Sequence, residues 1–360
     1  MTRARAHGPA RSRAILAAGA VFGLAACAVE APDPGPRAAP VSAVGAAIVG
    51  GATSPASDDA VVLLRNPRGD CTATLIAPNL VVTARHCVSA SNRAMTCNER
   101  GATLAGGQAG VDYDPGKLAV YVGATLARAG ALPPAALGRQ IVHDGSLTLC
   151  DHDVAFVVLD ESLAPAPAPL RLTAPPRVGE AFRAVGWGLA GDAMPPTTRA
   201  SRGGVSVRAV GPDRVSTAGP AELAATEGAC DGDSGSPALA EADGALLGVV
   251  TRGGSPRAAK LTPPEACRGD DIVNIYVSLA AHFTTVQAAF RAAGQPVPAG
   301  PPGALASPCE GGQCAPPVAP PTSCAVAAPG LPTGPALASG FAVALAVGAR
   351  RRIRRNPTPG

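Results

Sequence analysis

Residues 230–237 read CDGDSGSP, and residues 238–254 read ALAEADGALLGVVTRGG. The second stretch is rich in Val and Leu and bounded by Gly, the pattern of core β-structure. The first holds two Gly, two Ser, two Asp and a closing Pro. Neither a helix interior nor a central strand accommodates that composition. It is a turn at the entrance to a core. A Ser flanked by Gly can sit on such a turn with its hydroxyl exposed and with backbone N–H groups aimed at one point. That is the layout of a nucleophile beside an oxyanion-binding site.

A serine hydroxyl is a weak nucleophile at neutral pH. It needs a base, and the base needs a group that orients it. His86 lies in VVTARHC, just after an apolar run and beside Cys87. Asp153 opens DVAFVVLD. Asp151 competes with it, but only Asp153 directly precedes the apolar strand. His152 reads as a surface residue on the turn before that strand. His143 and His282 read as solvated. There is no C-x-x-C or H-x-x-x-H pairing, so no metal and no cofactor are expected.

Outward from these residues the chain reads as β. AVVLLRN (60–66), ATLIAPNLVVTA (73–84), KLAVYVGA (117–124), DVAFVVLD (153–160), AFRAVGWG (181–188), GGVSVRAV (203–210) and ALLGVVTR (245–252) are short and bounded by Pro, Gly, Asn or Asp. Regularly spaced short strands imply an all-β sandwich or barrel. One late helix is expected, with Ser278 as N-cap, Leu279, Phe283, Val286 and Phe290 on one face, and Gly294 at its end.

In the order His86, Asp153, Ser234, the chain resembles the chymotrypsin/trypsin-like serine proteases, and the likeness runs over roughly residues 48–290. IVGG (48–51) resembles the mature amino terminus of that family. TLIAPNLVVTARHC resembles its His segment, GWG (186–188) its mid-chain Trp motif, and GVVTRGG (248–254) its cleft-lining strand. The resemblance implies two antiparallel β-barrels with a C-terminal helix. It implies peptide-bond hydrolysis by Ser234, His86 and Asp153, with the N–H groups of Gly232 and Ser234 as oxyanion hole. It implies that cutting before Ile48 frees an ammonium to pair with Asp233.

The same resemblance pairs Cys71 with Cys87 and Cys230 with Cys267. Cys97 and Cys150 are the remaining pair within the domain. Gly228, Gly253 and Asn274 fall at the specificity pocket, which implies small or medium uncharged side chains before the cut. Asp270 or Asp271 enters the pocket if the loop aligns differently. Arg85, Ser236, Thr251 and Arg252 depart from the family's usual residues. The alternative function is a catalytically weak or inert surface-binding protein on the same fold.

The formal charge is +4, but the excess sits at the ends. Arg3, Arg5, Arg11, Arg13 and Arg37 lie before residue 48, and Arg350, Arg351, Arg352, Arg354 and Arg355 close the chain. Acids slightly outnumber bases between them, so nucleic acid is not an expected partner. The basic start followed by AILAAGAVFGLAAC reads as a lipoprotein-type export signal over 1–27, with Cys27 as the lipidated residue. An ordinary signal peptide is the other reading.

Residues 28–47 read as propeptide, 48–293 as the protease domain, and 294–335 as a Pro/Gly-rich linker. In 336–360, an apolar run precedes an Arg cluster and resembles myxobacterial surface-sorting tails. Its fourteen apolar residues rise only ~21 Å as a helix, short of the ~30 Å hydrocarbon core. The expected product is exported to the bacterial cell surface or outer membrane, or released. Its expected partners are protein or peptide substrates, the membrane through its termini, and an activating protease that cuts after small residues, because Ala46-Ala47 precede Ile48.

Overall fold

The computed structural model describes residues 48–92, 94–126, 132–188, 198–255 and 263–300. The expected signal with Cys27, the propeptide, residues 301–335 of the linker with Cys309, Cys314 and Cys324, and the tail 336–360 lie outside the described residues.

The strands, in chain order, are β1 (Ala52–Thr53), β2 (Val61–Asn66), β3 (Gly69–Ala77), β4 (Leu80–Thr83), β5 (Met95–Cys97), β6 (Thr103–Gly106), β7 (Ala119–Tyr121), β8 (Ala136–Val142), β9 (Ala155–Leu159), β10 (Ala181–Gly186), β11 (Ala200–Val210), β12 (Glu222–Ala225), β13 (Pro237–Ala240), β14 (Leu246–Gly254) and β15 (Val273–Ser278). The helices are α1 (Pro263–Ala266) and α2 (Phe283–Ala292). Strands β2-β3-β4-β9-β8-β7 close into one antiparallel barrel. The order β11-β10-β13-β14-β15-β12 closes into a second through the β11–β12 pairing, with β1 added beside β11. This is the chymotrypsin-like architecture of two six-stranded barrels.

The continuous apolar run of β9 has a physical reason. All five of its residues are buried, and side chains alternate between two faces. Ala155, Val157 and Leu159 pack inside the first barrel with Val62, Leu64 and Leu75. Phe156 and Val158 join Val185, Val249 and Val277 of the second barrel and Val286 of α2. One strand thus serves the barrel interior and the contact between barrels. Each fully buried Val, Leu or Phe stabilises the fold by roughly 1.5–3 kcal/mol. The second barrel fills with Ile48, Val205, Leu247 and an edge-to-face pair of Phe182 and Tyr276, centroids 5.2 Å apart. Disulfides join Cys71–Cys87, Cys97–Cys150 and Cys230–Cys267.

The late helix begins later than its periodicity implies. Ser278 ends β15 and donates its N–H to the Ala221 carbonyl. Leu279 is buried ahead of the helix, and His282 is the N-cap. Sheet pairing, a long-range interaction, takes the residue that local capping preference assigns to the helix. Gly294, at φ +67°, follows its end.

Arg199 holds the entry to the first barrel. It is fully buried. Its guanidinium donates to Ser54 Oγ at 2.9 Å, to the carbonyls of Val61 at 2.8 Å and Pro55 at 3.0 Å, and to Asp59 Oδ1 at 2.8 Å. Those acceptors flank the 3-10 turn Ala56–Asp58 that leads into β2. Replacing Arg199 with Met strands them without a donor. The expected loss is about 3–5 kcal/mol, since breaking a buried charged network leaves its other members uncompensated. The measurement is the urea midpoint; a loss below about 1 kcal/mol, the scale of an exposed pair, contradicts this role.

Candidate active site

Strand β4 delivers the chain to a 3-10 turn, Arg85–Cys87. The Cys71–Cys87 bridge ties that turn to β3, so His86 sits on a short, cross-linked corner. Its Nδ1 lies 2.7 Å from Asp153 Oδ2, and its backbone N–H donates to Asp153 Oδ1 at 2.9 Å. A carboxylate only accepts, so Nδ1 carries the proton and the lone pair is on Nε2. The Thr251 hydroxyl also donates to Asp153 Oδ2. Both His86 and Asp153 are buried. Burial pushes the Asp153 carboxyl up, but His86 and Thr251 outweigh it and hold the group below its ordinary value. His86 Nε2 has no hydrogen-bond partner among the described residues. His86, Ser234 and Gly232 all line one cleft of about 770 Å3.

The loop 230–237 belongs to the second barrel but is fixed to the first. Gly232 and Gly235 have φ of +88° and +82°, a region that disfavours side chains. The Ser234 carbonyl accepts the Thr72 N–H at 2.9 Å, and the Gly235 N–H donates to Val250. A Cβ on Gly235 would lie 2.2 Å from Thr83 Oγ1 and 2.3 Å from the Thr72 carbonyl oxygen. Only Gly allows that approach. Asp233 turns inward and is fully buried. It accepts N–H bonds from Gly188 at 2.8 Å and Cys230 at 3.0 Å. Burial pushes its carboxyl up to about 8 despite those two donors. Ile48 is fully buried nearby: a Cβ on Gly186 would lie 2.2 Å from Asp233 Oδ1 and 3.0 Å from Ile48 Cδ1.

The pocket residues divide. Gly253 and Asn274 line the cleft, and Gly228 does not. A Cβ on Gly228 would face Val205 and Ala184 inside the barrel, and its carbonyl accepts the Val49 N–H at 3.1 Å. Ala229 stands in the cleft instead. The Asn274 amide donates to the Thr226 carbonyl at 3.1 Å and lies under Gly253, where a Cβ would meet Asn274 Oδ1 at 2.2 Å. Asp270 and Asp271 do not line the cleft, and the Asp271 carboxylate accepts the Ser255 hydroxyl.

The departures from the family pattern have local partners. Arg252 makes a bidentate pair with Glu222 at 2.5 and 2.7 Å. Arg85 donates to the Ser146 carbonyl at 3.0 Å and lies 3.7 Å from Asp112. Each cation is therefore compensated before it bears on His86. Sequence reading missed the bond from Thr251 to Asp153, which spans 98 residues, and the roles of Glu222 and Ala229. Thr251 was legible only as a replacement for the family's usual Ser. His282 corrects an expectation: it is buried, not solvated, and its Nε2 lies 2.7 Å from the Asp151 carbonyl. His143 is half-buried and contacts Asp112 at 2.7 Å.

A family model described as Trypsin matches residues 48–268. No curated protein matches the chain. A solved structure described as human heparin binding protein superposes at a TM-score of 0.46 and 20% identity, covering 65% of this chain and 92% of that one.

The raised Asp233 carboxyl gives a pH signature in the chain that retains residues before Ile48. Burial pushes the native carboxyl up to about 8, well above the ordinary carboxylate value of about 4. Between those values the native state holds a proton that the unfolded state has lost, so stability falls as pH rises across that window. Urea midpoints of the uncut chain, kept intact by Ala47→Glu, are expected to fall over that window more steeply than those of the same chain carrying Asp233→Asn. Equal slopes contradict the assignment.

Proposed function

The chain belongs to the trypsin family of serine proteases, and we propose that it is an exported serine endopeptidase working through Ser234, His86 and Asp153 and activated by cleavage before Ile48. The observation that carries the reading is the contact from Asp153 to His86 Nδ1, which leaves the lone pair on Nε2 of a histidine that lines the same cleft as Ser234. Ser234 Oγ attacks the carbonyl carbon of the scissile bond while His86 Nε2 takes its proton. The N–H groups of Gly232 and Ser234 receive the oxyanion, a contribution of roughly 10²–10³ in rate per donor. The C–N bond then breaks, and His86 returns the proton to the leaving amine. Water hydrolyses the acyl-enzyme by the same route in reverse. The Ser–His hydrogen bond is one that often tightens only with substrate present.

Activation has its own support. Asp233 is a buried carboxyl group that accepts two N–H bonds and that burial favours in its neutral form, with the first residues of the domain packed beside it. Val49 is already fixed, its N–H on Gly228 and its carbonyl taking Arg202 at 2.9 Å. A new ammonium at Ile48 would supply the missing counter-charge and hold the loop of Gly232 and Ser234. Three disulfides accord with an oxidising compartment. Ala229, Gly253 and Asn274, the uncharged residues at the candidate specificity pocket, favour small, uncharged side chains before the cut.

A fluorophosphonate probe is expected to label the cut protein and not its Ser234→Ala variant. Asp153→Asn is expected to lower turnover by roughly 10⁴-fold through loss of the correct His tautomer. Absence of labelling in the cut wild type leaves the inert binding protein as the better reading. A peptide-library profile of the same preparation is expected to favour Ala-sized residues before the cut; dominance of Arg or Lys rejects that specificity.

A further inference from the structure

Outside the cleft, the fold gathers three side chains that no local motif joins. Asp144 and His152 lie between β8 and β9, and His282 caps α2. None lines the cleft. One ligand atom from each lies within 4.8 Å of the others. His152 Nδ1 is 2.5 Å from Asp144 Oδ2, and His282 Nδ1 is 3.9 Å from that same oxygen. The two rings meet edge-on, 5.9 Å between centroids.

The protonation of His282 follows from its other nitrogen. Nε2 lies 2.7 Å from the Asp151 carbonyl oxygen, which only accepts. Nε2 therefore carries the proton, and Nδ1 presents a lone pair toward the Asp144 carboxylate. Two electron-rich atoms face each other at a distance too long for a hydrogen bond and suited to a shared cation.

The surroundings have the form of an outer coordination shell. A ligand histidine is usually fixed by a carbonyl or carboxylate on its far N–H, the part Asp151 plays for His282. Asp151 is itself constrained. Its φ is +66°, its Oδ1 accepts the Ala221 N–H at 3.0 Å, and its N–H donates to Glu222 at 3.2 Å. On the other ligand, Asp144 Oδ1 accepts the Ser146 N–H at 3.0 Å, which leaves Oδ2 for the cluster. The side chains are 21%, 39% and 7% exposed for Asp144, His152 and His282. The cluster is thus held from inside and open to water on one side.

We propose that Asp144, His152 and His282 form a binding site for a divalent transition-metal ion of the zinc class, completed by water. Two imidazoles and one carboxylate suit such an ion, whereas calcium and magnesium prefer all-oxygen sets. Metal–ligand bonds of about 2.0–2.2 Å set tetrahedral ligand atoms roughly 3.3–3.6 Å apart, so the ion requires the 2.5 Å contact between His152 and Asp144 to open and His282, 3.9 Å from that oxygen, to move inward. As the metal binds, the proton on His152 Nδ1 leaves to solvent and Nε2 carries the ring's one remaining proton, so that a neutral imidazole gives its Nδ1 lone pair to the ion. The bound ion ties the segment that leads directly into Asp153 to the start of α2. This site stands independently of the proteolytic reading.

The test is calorimetric titration of the full chain, stripped with EDTA, using ZnCl2. One equivalent is expected to bind, and His152→Ala and Asp144→Asn are each expected to weaken binding by about tenfold or more. His152 is the most exposed of the three, so its variant should keep the fold, which the urea midpoint checks. Independently, CoCl2 is expected to give the visible absorption of a four-coordinate site in the wild type. Absence of saturable zinc binding, undiminished binding in both folded variants, or a cobalt spectrum of the hydrated ion overturns the proposal.

Discussion

One backbone hydrogen bond joins the two halves of the molecule where the candidate chemistry lies: the Thr72 N–H, on a strand of the first barrel, to the carbonyl of Ser234, on a loop of the second. His86 and Asp153 both belong to the first barrel. Neither barrel alone contains the three residues. The site exists only if the barrels dock in one register, and Thr72 helps to set that register. Its side chain adds to the constraint by accepting the Trp187 N–H at 3.0 Å. Gly235 permits the approach because a Cβ there would overlap Thr83 and Thr72.

Docking in turn rests on strands buried on both faces. With only 3% aromatic residues, the chain builds its interface from Val, Leu and Ala and a few rings such as Phe156 and Phe290. Small aliphatic cores leave little volume for error, since each misplaced methylene is felt in a close-packed interior. The disulfides relieve the core of part of the work: two of them sit beside His86 and beside the Ser234 loop.

Buried charge is handled differently in different places. Arg199, Arg85 and Arg252 each meet carbonyls or carboxylates that compensate them. Asp153 has His86 and Thr251. Asp233 is the exception, a carboxyl group with two N–H donors and, among the described residues, no cation bonded to it, so that burial pushes it up to about 8 and favours its neutral form. A protein tolerates such a group at a cost, and the cost lies at the loop that carries Gly232 and Ser234.

The sequence by itself determined the β class and the positions of most strands, and its motifs carried the family resemblance that put forward His86, Asp153 and Ser234 as candidates; the pairings Cys71–Cys87 and Cys230–Cys267 came with that resemblance, and Cys97–Cys150 was settled only by the fold. These are local signals: alternation with period two, Gly and Pro at turns, and a few residues in a fixed order. The tertiary structure alone decided which way Gly228 faces, that Ser278 closes a strand instead of opening a helix, and that Thr251 reaches Asp153. It also decided that His282 is buried and brought to Asp144 and His152. Each of these depends on which distant segment packs against the residue. Strand pairing and barrel closure fix that choice, and the interactions span from tens of residues to well over a hundred. No window of the sequence contains both partners, so no pattern within a window could have shown them.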